Sequence, residues 1–562
     1  MAKQVKTQQY ILKIDSALLR KNNWNLRLPL SRARKIPGMV VSLADSQVLS
    51  WINELNETED YDVKAKEIRS RIDLLKRESS NSAYQAEIGG LYEDLYRLQF
   101  KEDYLCVVMD RKSDYDKANK GFYVNGIFYR RLICTTNGVK ESTVVYVSDK
   151  LHDVLKKRIE NGKNNNIPLV PAKLGAYESL VASASIAVSW PRRTLSPIPG
   201  GVIVVSDCYT EFFTDIINVD DTDPSREPVV EYAENQQVRN NCSDGCGMMT
   251  PALSRRWNLE LNGIEGKTFS GCNLRCAWLK GMVFTFDFVE FAERVMGASF
   301  ATEEKYFITD VWGDRRDVRD ADLIITESQL KLWSCYNSWE EYYENCIENK
   351  YTLRVAKTAP DKLDDVRQLN YQFIQSLDLS DEDIQELINP TVNEISDIMG
   401  MNPMKSIVYL AGKKVAPHTL RFADDCAKAL MLTPAVINDP YIRDRIKRMI
   451  RKRITDAKIG VLDVHGNFQI ISGDLYALCE SIFGLHPKGL LSAGQIYSKY
   501  WKSENVPRVL CARAPMSNEH SLVSQDICMS DEAEYWFRYM DTVIVVNAWD
   551  TMPMALNGFD FD

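Results

Sequence analysis

Between about residues 357 and 456 the apolar positions recur at helical spacing. The stretches on either side, about 201–333 and 459–562, are instead broken into short apolar runs bounded by Gly and Pro. One uniform core cannot serve both patterns. At 562 residues the chain also exceeds an ordinary domain, which holds about 100–150 residues. The expected architecture is mixed α+β, with two strand-rich bodies joined by a helical connector. The expected divisions are an N-terminal mixed region with a helical hairpin at 1–190, a first strand-rich region at 191–356, the connector at 357–458 and a second strand-rich region at 459–562. The Pro-rich segment from Pro191 to Pro199 marks the first boundary.

Local signals fill in this outline. Ile68, Ile72, Leu74 and Leu75, then Leu91, Leu95 and Leu98, predict two helices over about 56–104. The runs Tyr104–Met109, Gly121–Val124, Thr143–Val147 and Gly201–Val205 predict strands. Ser380 and Asp383 are spaced as a capping box before Ile384.

Composition narrows the function classes. No apolar stretch reaches the roughly 18 residues of a membrane span, and Met1–Thr7 leads into no apolar signal core. Thirteen scattered cysteines, an odd number, suit a reducing compartment. A cytoplasmic, membrane-free monomer is expected. The net charge of -9 argues against a protein that coats nucleic acid, though not against a local basic channel. A basic run, Arg443, Arg445, Lys447, Arg448, Arg451, Lys452, Arg453 and Lys458, suits a phosphate backbone or a solvated helix face.

The chemistry-bearing residues lie in separate segments. The chain ends Gly558-Phe559-Asp560-Phe561-Asp562. With a strand's period of two, Asp560 and Asp562 point the same way and can share a magnesium ion, with Phe561 on the opposite face. Lys280 follows Ala277-Trp278-Leu279, and Lys331 lies between Leu330 and Leu332. A lysine in such surroundings snorkels to solvent or meets an anion. Arg513 and Pro515 follow the run Val509–Ala512, and His520 lies beyond them as a turn or packing residue.

Taken in order, Asn241–Gly247, Asn273–Gly281, Asp322–Trp333, Gly460–Asp463 with Gly473–Tyr476, and the terminal Asp560-Phe561-Asp562 resemble the single-subunit RNA polymerases with two double-psi β-barrels. These include the RNA-dependent polymerases of RNA silencing and their phage-encoded, DNA-reading relatives. The resemblance covers roughly residues 200–562. It implies two double-psi barrel regions and template-directed RNA synthesis from nucleoside triphosphates on single-stranded DNA or RNA. The phage DNA-directed branch is preferred, which would place the protein in the host cytoplasm. It implies Mg2+, with Mn2+ as a substitute, held by Asp560 and Asp562, and Lys280, Lys331 and Arg513 facing phosphate. The family's loop reads Asp-x-Asp-Gly-Asp. The chain stops after its second aspartate, so a fragment with an incomplete catalytic loop is expected.

Three rival readings stand beside it. Cys242, Cys246, Cys272 and Cys276 form two C-x3-C pairs, a spacing that suits structural zinc. A non-catalytic nucleic-acid-binding protein would keep the strand-rich bodies without the reaction. A nuclease with a carboxylate pair leaves the two lysines unexplained. No G-x-x-x-x-G-K-[ST] segment exists, which disfavours a P-loop ATPase.

Overall fold

The computed structural model describes residues 8–58, 60–78, 82–134, 142–191, 197–220, 222–223, 225–297, 303–375, 377–411, 424–516 and 519–561. The architecture is mixed α+β, with two seven-stranded sheets, a five-stranded sheet and a separate helical body. Among the described residues no helix is long and apolar enough to cross a membrane.

The N-terminal sheet runs, in spatial order, Asn25–Leu26, Phe122–Val124, Ile127–Cys134, Thr143–Ser148, Phe100–Val108, Gln9–Asp15 and Val40–Leu43. The helical hairpin forms as Tyr61–Glu78 and Ser82–Gln99. Tyr61, Ala65, Ile72, Leu75 and Leu95 are among its buried positions, so the pair is held by a narrow apolar stripe, with an exposed Arg71–Glu87 bridge of 3.0 Å. Leu74, expected to share that stripe, is exposed.

The central and C-terminal sheets share one topology. In the central sheet the strands lie Val202–Val205, Leu323–Thr326, Cys246–Met249, Leu279–Thr285, Gly271–Cys276. In the C-terminal sheet they lie Ile470–Ser472, Val543–Val546, Gln495–Tyr497, Leu522–Ile527, Arg508–Ala512. Numbered along the chain within each set, both read first, fifth, second, fourth, third. The pairings also alternate identically, parallel, antiparallel, parallel, antiparallel. The first and fifth strands are nearly continuous apolar runs, as expected of parallel strands covered on both faces. As hydrogen-bonded ladders both sheets are open at their edges among the described residues. Arg354–Thr358 and Ile186–Ala187 extend the central one.

Two insertions differentiate these bodies. A two-stranded ribbon, Tyr209–Asp220 with Val229–Asn241, leaves the central sheet between its first and second strands. Between the two bodies, helices Asp381–Met399, Pro403–Ala411, Asp425–Leu432 and Pro440–Lys458 pack around Ile398, Ile407, Leu430 and Ile446. The Ser380–Asp383 capping box is present in full, with Ser380 Oγ accepting from the Asp383 amide at 3.2 Å and Asp383 Oδ2 from the Ser380 amide at 3.0 Å.

Arg354 fastens the N-terminal region to the central sheet. It is 2% exposed, bridges to Asp45 at 3.0 Å, and donates to the Ser185 side chain and carbonyl and to Ser50. Arg354→Met strands a half-desolvated carboxylate and several acceptors. It is expected to cost about 3–5 kcal/mol of stability, as for other broken buried pairs. Urea unfolding checks this, and a loss no larger than that of an exposed arginine variant would contradict it.

Candidate active site

The loop joining the third and fourth strands of the central sheet turns at Trp278, whose φ of +58° lies in the left-handed region. Its buried indole donates to Tyr336 Oη at 2.9 Å, which holds this conformation in place. Leu279 then bridges to Leu330. Around that bridge the Lys280 amide donates to the Gln329 carbonyl at 3.1 Å, and the Lys331 amide to the Trp278 carbonyl at 3.0 Å. Leu279, Leu330 and Leu332 go into the core, while Lys280 and Lys331 are half-buried on adjoining backbone. The two lysines, 51 positions apart in sequence, are thus neighbours.

Gln329 explains the glycines around them. It is fully buried, accepts from the Thr326 amide at 3.0 Å and donates to the Met282 carbonyl at 2.9 Å. A β-carbon on Gly247 or on Gly281 would sit 2.5 Å from its amide group. Both positions therefore have no room for a side chain.

The aspartate segment approaches from the C-terminal body. Phe559 and Phe561 are buried edge to face, 5.6 Å between centroids, and Asp560 between them is exposed. Asp560 thus faces solvent between two buried rings, although residues 559–561 form no strand. Asp562 lies outside the described residues. Arg513 Nη1 donates to the carbonyls of Leu556 and Asn557, both at 3.2 Å, immediately before the turn at Asn557 and Gly558, where φ is +61° and +57°. Asn557 Nδ2 donates to the Pro515 carbonyl. His520 lies exposed in the short turn Glu519–Ser521.

The Phe561 amide donates to the carbonyl of Asp244 at 2.9 Å. That bond joins the aspartate segment to the Asn241–Gly247 turn of the central sheet. The turn is itself clamped by Asp207, whose carboxylate accepts from Asn241 Nδ2 and from Ser328 Oγ, each at 2.7 Å. Ser328 Oγ also accepts from the Gly245 amide at 2.8 Å. Asp207 carries no motif in the sequence, and nothing distinguishes Ser328 within the Asp322–Trp333 segment. A signal exists nonetheless: Asp207 lies two residues past the first strand of its sheet, as Asp474 does past Ser472.

Asp474 caps helix Leu475–Ile482, accepting from the Tyr476, Ala477 and Leu490 amides at 3.0, 3.2 and 3.2 Å. Burial pushes its pKa up to about 6 against those three donors, with the negative charge of Glu480 adding to the rise. The preceding Gly473 lies so close to the other body that a β-carbon would be 2.1 Å from the Cys242 carbonyl oxygen and 3.2 Å from the Phe561 ring.

The four cysteines do not converge. Cys242 Sγ lies 3.6 Å from Cys208 Sγ, and Cys246 Sγ lies 3.8 Å from Ser472 Oγ. Cys272 and Cys276 are buried in a strand of their own, and burial pushes the Cys246 thiol up to about 12 and that of Cys272 well up. Among the described residues no group of three or more His, Cys, Asp or Glu is arranged to hold a metal. The zinc reading is therefore dropped.

The family model of the RNA dependent RNA polymerases matches residues 81–513, well over half of the chain. The chain belongs to that family. It is 31% identical over 302 residues to the DNA-directed RNA polymerase YonO of Bacillus phage SPbeta, an alignment covering 52% of this chain and 32% of that protein. The solved RNA dependent RNA polymerase QDE-1 from Thielavia terrestris is 13% identical with a TM-score of 0.47, covering 82% of this chain and 48% of that one. The chain thus spans about a third of the first relative's length and about half of the second's.

The Asp474 environment makes a pH test. Its folded pKa lies above the ordinary carboxylate value, so its contribution to stability is complete below pH ~4 and is lost as pH rises through about 6. Relative to Asp474→Asn, the wild type is expected to lose on the order of 2–3 kcal/mol across that window. Parallel unfolding titrations of the two proteins between those limits would sink the assignment.

Proposed function

We propose that this chain carries the nucleotidyl-transfer centre of a template-directed RNA polymerase, reading DNA by preference. The observation that carries the proposal is the docking of the aspartate segment on the sheet that bears the two lysines, the two sheets sharing one topology. Lys280 lies at the start of the fourth strand of one and Lys331 beyond its fifth, while Asp560 lies beyond the fifth strand of the other, next to Phe561, whose amide bonds to Asp244 of the first. The working unit in this reading is residues 191–356 and 459–562 as two double-psi barrels, with 357–458 between them.

Each residue then has a physical task. Phe559 and Phe561 anchor the segment so that Asp560 stays turned to solvent, and Arg513 fixes the carbonyls ahead of it. Asp560, joined by Asp562, would hold Mg2+ or Mn2+. Such ions, when bound, lower the pKa of an attacking hydroxyl and neutralise phosphate charge. One exposed carboxylate fits a weak site that is completed by the phosphates of the substrate. Lys280 and Lys331 offset charge on the triphosphate, and their place on rigid, core-anchored backbone means little reorganisation accompanies the reaction. The likeness to a DNA-directed relative supports the template preference. RNA is the alternative template, supported by the matching family model.

The complete protein with Mg2+, labelled nucleoside triphosphates and single-stranded DNA or RNA in parallel tests the reading. Product on DNA is expected, and product on RNA alone would reverse the preference. Asp560→Asn should lower synthesis by roughly 1,000-fold or more, and Lys280→Met by roughly 100–1,000-fold. Template binding should be nearly unchanged in both. Binding that falls in step with synthesis would instead assign these residues to holding the strand.

A further inference from the structure

Helix Pro440–Lys458 differs from the rest of the molecule in charge. It carries eight cations and two carboxylates in a chain of net charge -9. Three of those cations are engaged by carboxylates: Arg445 with Asp424, Arg448 with Asp444 at 3.1 Å, and Arg453 with Glu394 at 3.4 Å and Asp463 at 3.3 Å. The other five, Arg443, Lys447, Arg451, Lys452 and Lys458, are all exposed, and none has a carboxylate partner among the described residues.

The opposite face is fixed. Ile442, Ile446 and Ile450 are buried in the core of the helical body, and Arg453, 7% exposed, donates to the Val461 carbonyl at 2.6 Å. The five cations are therefore carried on a rigid rod and not on a solvated tail. A membrane-surface helix needs a free apolar face, and this one has none. From Arg443 to Lys458 the rod spans about 22 Å at about 1.5 Å per residue. One strand of a duplex presents about six phosphates over that length, at about 3.4 Å each.

We infer that the exposed face of this helix is a nucleic-acid backbone site, sequence-independent and separate from the reacting centre, which holds the template or the template–product duplex. The inference rests on the polymerase reading only for the identity of that strand. Because such a site acts through counterion release, its signature is a salt dependence and not a sequence preference.

The test is the binding of a fluorescein-labelled single-stranded oligonucleotide and of a duplex to the full chain over a range of salt concentrations. The fivefold variant Arg443→Gln, Lys447→Gln, Arg451→Gln, Lys452→Gln and Lys458→Gln is compared with a charge-matched control on the N-terminal hairpin, Lys64→Gln, Lys66→Gln, Arg69→Gln, Arg71→Gln and Lys76→Gln. Glutamine keeps helix propensity, and circular dichroism checks that both variants fold. The wild-type plot of log K against log salt should lose about 3.5 from its slope in the first variant for single strands, about 0.7 per phosphate contact. The control should keep the wild-type slope. No binding by the wild type, an unchanged slope in the first variant, or an equal drop in both would overturn the inference. So would polyglutamate binding with the same slope as the oligonucleotide, which would assign the face to an acidic protein. RNA synthesis by the complete protein separates the two claims. Synthesis with an unaltered slope sinks this site and leaves the reacting centre standing, while a lost slope without synthesis does the reverse.

Discussion

A tight contact joins Gly473 of the C-terminal body to the carbonyl of Cys242 in the central one, and the site depends on it. No side chain fits there, and the Phe561 ring closes the same gap. Once Phe561 is seated, its amide reaches the Asp244 carbonyl and the aspartate segment acquires a fixed position against the central sheet. Cys208 Sγ, 3.6 Å from the Ala477 carbonyl, and Cys246 Sγ beside Ser472 Oγ complete the seam. The joint is packed and also carries polar ties, with Thr210 donating to the Ala548 carbonyl and Arg538 paired with Glu290. Such a joint transmits position faithfully, because close-packed interiors do not deform cheaply.

The shared strand order gives this joint a logic. In each body a carboxylate lies two residues past the first strand, Asp207 in one and Asp474 in the other. Asp207 gathers the side chains of Asn241 and Ser328, while Asp474 gathers backbone amides from the first turn of its helix and from Leu490 ahead of the second strand. Both tie the end of the first strand to the approach of the second, so each buried carboxylate organises a turn at the seam. The bodies diverge further out, where one carries Lys280 at the start of its fourth strand and Lys331 beyond its fifth, and the other carries Arg513 beyond its third strand and Asp560 beyond its fifth.

Much of the local structure was legible along the chain. The apolar runs at 202–205 and 543–546 are strands, the Ser380–Asp383 box caps its helix, and the basic run lies on one helix. Lys280 and Lys331 were recognisable as cations in apolar settings, because flanking leucines leave a lysine little choice but the surface of a core. The zinc reading failed for a different reason. Cysteine spacing fixes how far apart two thiols are along a chain, but not whether two pairs face one another. Here the strands carry them to separate neighbours, Cys208 and Ser472 among them.

By itself the sequence determined several helices and strands, among them the hairpin at 61–99 and the runs at 202–205 and 543–546, and which residues carry charge in apolar surroundings. These follow from short-range periodicity and solvation, which act over a few residues. The tertiary structure alone decided that Lys280 adjoins Lys331 across the Leu279–Leu330 bridge, that Gln329 forbids side chains at Gly247 and Gly281, and that Phe561 docks on Asp244. Each joins segments tens to hundreds of residues apart. Strand order and steric fit choose such partners, and no local pattern encodes them.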